Sequence, residues 1–132
     1  MRTASSLLSL FVLLVIASSI LACGLGRPRM LQSVSISPTT ASSQGQFTAT
    51  GTYTDGSKVT PLPVVWFPIM PWYNQLNQVR WINLDATGKA SCNGNPGSFS
   101  VIATAPVDPH VSLTQMNSLT LQMWGTAQLT CP

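Results

Sequence analysis

Few side chains in this sequence can do chemistry. Cysteines stand at 23, 92 and 131, the single histidine at 110, and aspartates at 55, 85 and 108; glutamate is absent. Asp108 and His110 share the proline-bounded stretch "VDPH". With one of the many serines they offer the parts of a nucleophile, a base and an orienting carboxylate. No Gly-x-Ser-x-Gly elbow presents such a serine, and two polar residues in one loop are more often loop residues. The expectation is a protein without catalytic machinery. One histidine and scattered aspartates also fall short of a zinc set, and no run of oxygen ligands forms a calcium loop. The cysteine spacing excludes a CxxC metal site, and no glycine-rich loop is built to cradle phosphate. No metal and no cofactor are expected.

That leaves the thiols, and Cys23 is the most telling. It closes a stretch, Thr3 to Gly26, that has no charged residue, with Arg2 ahead of it and an almost wholly apolar segment from Leu7 to Ile16. A basic start, an apolar centre and small residues at the end describe a secretory signal. About 20 apolar residues can also span a bilayer as an uncleaved anchor, but Ser5, Ser6, Ser9, Ser18 and Ser19 dilute this stretch and favour a signal. The residues Ile20-Leu21-Ala22-Cys23-Gly24 resemble a bacterial lipobox. In that signal the thiol takes a diacylglycerol, the chain is cut before it, and the new amino group is acylated. The chemistry needs a nucleophilic thiol at the membrane surface and a small residue, here Ala22, that lets the peptidase reach the backbone. Leu21 is a less common occupant of its position. Ordinary signal cleavage, leaving or discarding a free thiol, is the competing reading.

The expected organisation is therefore a lipoprotein signal peptide over 1–22, a short linker over 23–32 and one domain over 33–132. Localisation follows: exported and lipid-anchored to a bacterial membrane. Gly24, not Asp, follows the cysteine, which by the enterobacterial sorting rule points to the outer membrane or cell surface before the inner membrane.

Five basic residues after the signal (Arg27, Arg29, Lys58, Arg80 and Lys89) face the three aspartates. Spread over the whole domain, that excess is no nucleic-acid footprint, which needs clustering on one face. Arg27 and Arg29 follow the proposed anchor closely enough to touch anionic headgroups, or serve as a solvated linker. Charged residues are 7% of the chain, against roughly 25% for a typical soluble domain. Ser, Thr, Asn and Gln carry the polar surface, which suits an extracytoplasmic β protein better than a cytosolic enzyme.

After residue 26 no segment holds a 3.6-residue apolar period; alternation of period two recurs instead. Phe47, Ala49, Gly51 and Tyr53 face one way in "QFTATGTYT", with threonines on the other side. The same reading turns inward Val34 and Ile36; Phe99, Val101, Ala103 and Ala105; Leu119, Leu121 and Met123; and Ala127, Leu129 and Cys131. Asp55-Gly56, Thr87-Gly88, Asn93-Gly94 and Asn95-Pro96-Gly97 supply turns between the runs. About seven short strands of this kind predict an all-β, antiparallel sandwich, preceded by the signal-peptide helix.

The order of these pieces carries a resemblance. "VSISPTTAS", "GQFTATGTYTDGS", the Trp of "VVW", "DATGKASC" and "GNPGSFSVIATA" follow one another over about 33–67 and 82–105, and "GTAQLTCP" closes the chain. Together they resemble the bacterial immunoglobulin-like domains of group 2, found in bacterial surface proteins. That family opens with a strand ending in Ser-Pro, here Ser37-Pro38. A Phe-x-Ala strand follows (Phe47, Ala49), then an Asp-Gly hairpin and a core tryptophan, here Trp66. It ends on a Gly-x-x-x-Ile-x-Ala pattern, met by Gly97, Val101 and Ala103. The resemblance implies an immunoglobulin-like sandwich with an adhesion or spacing role at the cell surface. Two long connections, 68–81 and 106–118, depart from the family pattern.

With Cys23 lipidated, Cys92 and Cys131 remain in an oxidising compartment and make one disulfide; two buried free thiols are the alternative. The connection "PIMPWYNQLNQVRW" is the stretch that invites a binding role. Trp66 and Trp81 beside it are expected in or near the core. Ile69, Met70, Trp72 and Tyr73 form either a hydrophobic flap over an open sheet edge or a contact surface for an envelope protein or a surface glycan. The function expected is a non-catalytic envelope lipoprotein presenting one structural or interaction module of the adhesion type. The alternative is a carbohydrate-binding module that uses Trp72 and Tyr73. Partners are the membrane, through the lipid, and such a protein or glycan, with no nucleic acid.

Overall fold

The structure is a computed structural model, and it describes residues 26–68 and 81–132. Ten strands follow one another: β1 Leu31–Ser37, β2 Thr40–Ser42, β3 Gln44–Gln46, β4 Thr48–Tyr53, β5 Lys58–Val59, β6 Val65–Phe67, β7 Ile82–Leu84, β8 Lys89–Cys92, β9 Gly97–Pro106 and β10 Gln122–Cys131. The only helical piece among the described residues is a short 3-10 turn at Leu113–Gln115.

Hydrogen bonding orders them as β1-β4-β5 and as β6-β9-β10-β2-β3-β8-β7. All pairings are antiparallel except that of β2 with β10, which is parallel, Leu129 opposite Ala41. The longer series is one ladder that turns a corner. β2 and β3 share a single pair, Ser42 with Gln44, and Ser43 between them takes a left-handed φ of 63°. β3 and β4 are one run of chain broken only at Phe47. Taken so, one layer reads β1, β3–β4, β8, β7 and the other β6, β9, β10, β2. This is the order of an immunoglobulin-like sandwich. Of the ten strands, set against about seven expected, the extra ones come from the split of the first run into β1 and β2 where the chain crosses between layers, the break between β3 and β4 at Phe47, and the two-residue β5, which pairs with β4.

The alternating faces explain the core. Val34, Ile36, Phe47, Ala49, Tyr53, Ile82 and Ala90 come from the first layer, and Val101, Ala103, Ala105, Ala127, Leu129 and Cys131 from the second. Alanine is frequent because the layers approach closely. A β-carbon on Gly125 would stand 2.8 Å from the Val34 carbonyl oxygen.

Two local expectations are corrected. β9 is buried on both faces, Ile102 and Thr104 being 1% exposed. The connection from β9 to β10 folds back beside its outer face, where Leu113, Met116 and Asn117 line a groove together with Thr104, and Thr104 Oγ1 donates to Gln122 Oε1 of β10 at 2.9 Å. Leu119 and Leu121, expected inward, are 93% and 70% exposed. The strand they were assigned to begins only at Gln122. Before it the Thr120 amide donates to the Asn117 carbonyl, and the Leu119 amide to Asn117 Oδ1. Asparagine offers the backbone these local partners in a turn, and here that outweighs the alternating pattern.

Candidate functional site

Cys92 and Cys131 are joined, with S–S 1.99 Å and Cα–Cα 5.7 Å. The bridge lies at one end of the sandwich, where β8 and β10 come together beneath the β2–β3 corner. Ser43 ties the same two strands through its backbone: its amide donates to the Thr130 carbonyl and its carbonyl accepts from the Cys92 amide, each at 2.9 Å. Covalent and hydrogen-bonded closure therefore coincide.

Asp108 and His110 do not assemble into a catalytic pair in this geometry. Asp108 Oδ1 accepts from the His110 backbone amide at 2.9 Å, a turn contact. The nearby Ser112 hydroxyl bonds Gln115 Oε1 at 3.0 Å. Asp55 and Asp85 are also turn residues. Asp85 Oδ1 takes the Thr87 hydroxyl and the amides of Thr87 and Lys89. The Thr87 hydroxyl first, then the Lys89 amide, holds its carboxyl below the ordinary aspartate range. Asp55 is lowered in the same way, chiefly by the Ser57 hydroxyl. Among the described residues no group of three or more His, Cys or Asp side chains gathers as a metal site.

Cys23, Ile69, Met70, Trp72 and Tyr73 lie outside the described residues. Their flanks are visible. Trp66 is half-buried against the core, where a β-carbon on Gly88 would come within 2.8 Å of its ring. Trp81, expected in or near the core, is instead 42% exposed and stacks on Phe99 with ring centroids 6.1 Å apart. It precedes β7, the last strand of its ladder, so only one side of its ring finds a partner strand.

The opposite end of the sandwich receives the chain from its N-terminal side. Arg29 is fixed there: its guanidinium lies 3.9 Å over the Tyr53 ring, and its Nε sits 3.3 Å from Asp55 Oδ2. The Leu31 amide then donates to the Val107 carbonyl, and the Val107 amide to the Leu121 carbonyl. The exposed Leu119 and Leu121 therefore belong to the end where the chain enters. Beside them runs an open groove of about 740 Å³, lined by Val65, Phe67, Met116, Leu121 and Trp124 with the Gln122 amide. Nothing lining it is charged. A second, polar groove of about 430 Å³ is lined by Asn83, Asp85, Lys89 and Ser91.

Sequence reasoning missed the entry-end surface. The signal was present in "QMNSLTLQM", where Asn117-Ser118 is a turn pair inside an apparently alternating run. Among the described residues no helix is long and apolar enough to cross a membrane. Compared with protein-family models the chain matches none, and a comparison with curated proteins finds no match either.

Proposed function

We propose that this chain is an exported bacterial lipoprotein, held on the membrane by acyl groups on Cys23, that presents one immunoglobulin-like domain as a structural or interaction module of the cell envelope. Its domain is a divergent relative of the group 2 bacterial immunoglobulin-like domains, and its role is non-catalytic. The observation that carries the reading is a conjunction. A thiol in a lipobox-like context stands just ahead of an all-β sandwich closed by a disulfide, and such bridges persist in oxidising compartments. Little chain separates Cys23 from β1, so the domain sits close to the surface. Fractionation of cells tests the reading. The natural chain sediments with membranes, whereas Cys23→Ser is processed poorly or released; equal partitioning of the two would remove the anchor from the account.

A second reading has an observation of its own. Trp81 exposes a ring at the border of the aromatic connection 69–80, and exposed aromatic faces stack on sugar rings. In that reading the domain binds a surface polysaccharide through Trp72 and Tyr73. A glycan array with Trp72→Ala/Tyr73→Ala separates the two: sugar binding that the double variant abolishes favours the carbohydrate module. Absence of any glycan signal from the natural chain favours the protein-contact module.

A further inference from the structure

Leu119, Leu121 and Trp124 account for three of the exposed large hydrophobic side chains among the described residues, at 93%, 70% and 39%. Single exposed leucines on a loop are ordinary. These three differ because Leu121 and Trp124 line one uncharged groove, Leu119 lies two residues before Leu121, and all three lie at one end of the fold. That end is fixed by hydrogen bonds. Leu31 at the start of β1 is bonded to Val107, and Val107 to Leu121, at 2.8 and 2.9 Å. It is also the end nearest the anchor. Pro28, whose carbonyl accepts from the Thr54 hydroxyl at 3.4 Å, lies beside the β4–β5 turn. From Cys23 to Pro28 a fully extended chain reaches at most about 17 Å.

We propose that this end is a membrane-contact surface: Leu119 and Leu121 enter the outer part of the bilayer to which Cys23 tethers the domain, and Trp124 lies near the headgroups. The proposal rests on the anchor reading and adds an orientation and a binding surface to it. The tether confines the entry end within its short reach of the lipid. β9 and β10, ten residues each, then carry the disulfide end about 30 Å away from the membrane. Trp124 follows Leu121 by three residues, at most about 11 Å of chain. That spacing suits leucine in the acyl region and tryptophan at the interface, where its amphipathic ring is favoured.

The charges agree in sign. The groups at this end are Arg27, Arg29 and Lys58 against Asp55 and Asp108, with His110 on the same connection as the leucines. Arg29 is already paired with Asp55, so Arg27 and Lys58 remain to meet anionic headgroups. A second copy of this chain or a protein partner would also cover apolar side chains. The tether favours the lipid surface because it holds that surface at high effective concentration permanently.

The test uses the full lipidated protein in vesicles of phosphatidylethanolamine with phosphatidylglycerol. Nitroxide labels are placed at Leu119→Cys and, at the far end, Ser98→Cys, and intact mass is recorded first. The expected result is an acylated protein whose label at 119 is shielded from a water-soluble nickel chelate and open to oxygen, about 5–10 Å below the headgroup boundary, while the label at 98 is fully open to the chelate. An acylated protein with both labels equally open to the chelate overturns the contact surface and leaves the anchor standing. A lipid-free mass overturns the anchor and the surface with it. Dipolar broadening at 119 that fades on dilution in lipid assigns the face to a second copy and overturns the proposal. Should the extra cysteine disturb folding, hydrogen exchange on the natural chain gives the same decision. Protection of residues 116–121 must be greater in vesicles than for the lipid-free Cys23→Ser protein.

Discussion

Replacing both bridge cysteines, Cys92→Ala with Cys131→Ala, removes one crosslink without leaving a reactive thiol, and its cost can be worked from the structure. The bridged positions are 39 residues apart. In the chain-entropy treatment a loop of that size restricts the unfolded chain by about 3.9 kcal/mol at 25 °C. Lost burial of the Cys131 sulfur adds to this, and residual compactness of the unfolded chain subtracts from it. The net expectation is a loss of about 3–4 kcal/mol. Small domains have only about 5–15 kcal/mol in total, so the variant is close to marginal. Equilibrium urea unfolding followed by far-ultraviolet circular dichroism measures the change, with the reduced natural chain as a second route to the same state. The loss should be spatially polarised. Amide protection at Cys92 and Ser43, which share the bridged corner, falls first, while the Leu31–Val107 end holds to milder destabilisation. A loss below about 1 kcal/mol would refute the reasoning, because it would mean that the unfolded chain gains little freedom when the loop opens.

Other substitutions probe separate parts of the account. Gly88→Ala should be strongly destabilising: Gly88 has a φ of +84°, and a β-carbon there would sit 2.4 Å from the Phe47 carbonyl oxygen. A left-handed backbone alone costs roughly 1–2 kcal/mol for a side-chain-bearing residue, so a melting temperature within a few degrees of the natural chain's would contradict the packing described. For Asp85 the sign follows from its lowered pKa. The unfolded chain binds the proton more readily, so its contribution is fully present above about pH 4 and is lost as pH falls through the native value. Asp85→Asn should flatten part of the acid side of the stability profile, and an unchanged profile would show that its turn contacts do not favour the charged form. Leu119→Ser with Leu121→Ser should leave urea stability within about 0.5 kcal/mol, as for exposed sites generally. A larger loss would mean that these leucines belong to the core after all.

The sandwich is legible where one face is buried and one is wet. Phe47, Ala49 and Tyr53 alternate with threonines, and Ala127, Leu129 and Cys131 with polar residues, and in both runs the apolar side faces the core. Alternation misleads where that condition fails. Ile102 and Thr104 are buried on the second face of β9, beside which the connection to β10 folds back, and no alternation within the strand encodes that. Leu119 and Leu121 satisfy the pattern, yet the Asn117 turn removes them from the sheet. The short β7 and β8 show in the sequence mainly through their turn, "DATGK", and the corner at Ser43 has no glycine to announce it. Trp81 reads as a core residue by type, but its place beside an edge strand leaves it half-covered. Of the candidate site, the disulfide is legible from the cysteine count together with the expectation of export. The entry-end surface emerges only when Leu31, Val107 and Leu121 are seen to be neighbours, because those contacts span most of the chain.

The central claim concerns Cys23, and intact mass of the protein purified from its native membrane tests it most directly, measured before and after reduction. The account predicts a mass equal to residues 23–132 plus acyl chains, rising by two hydrogens when the Cys92–Cys131 bridge is reduced. A lipid-free mass that begins at any other residue would contradict it.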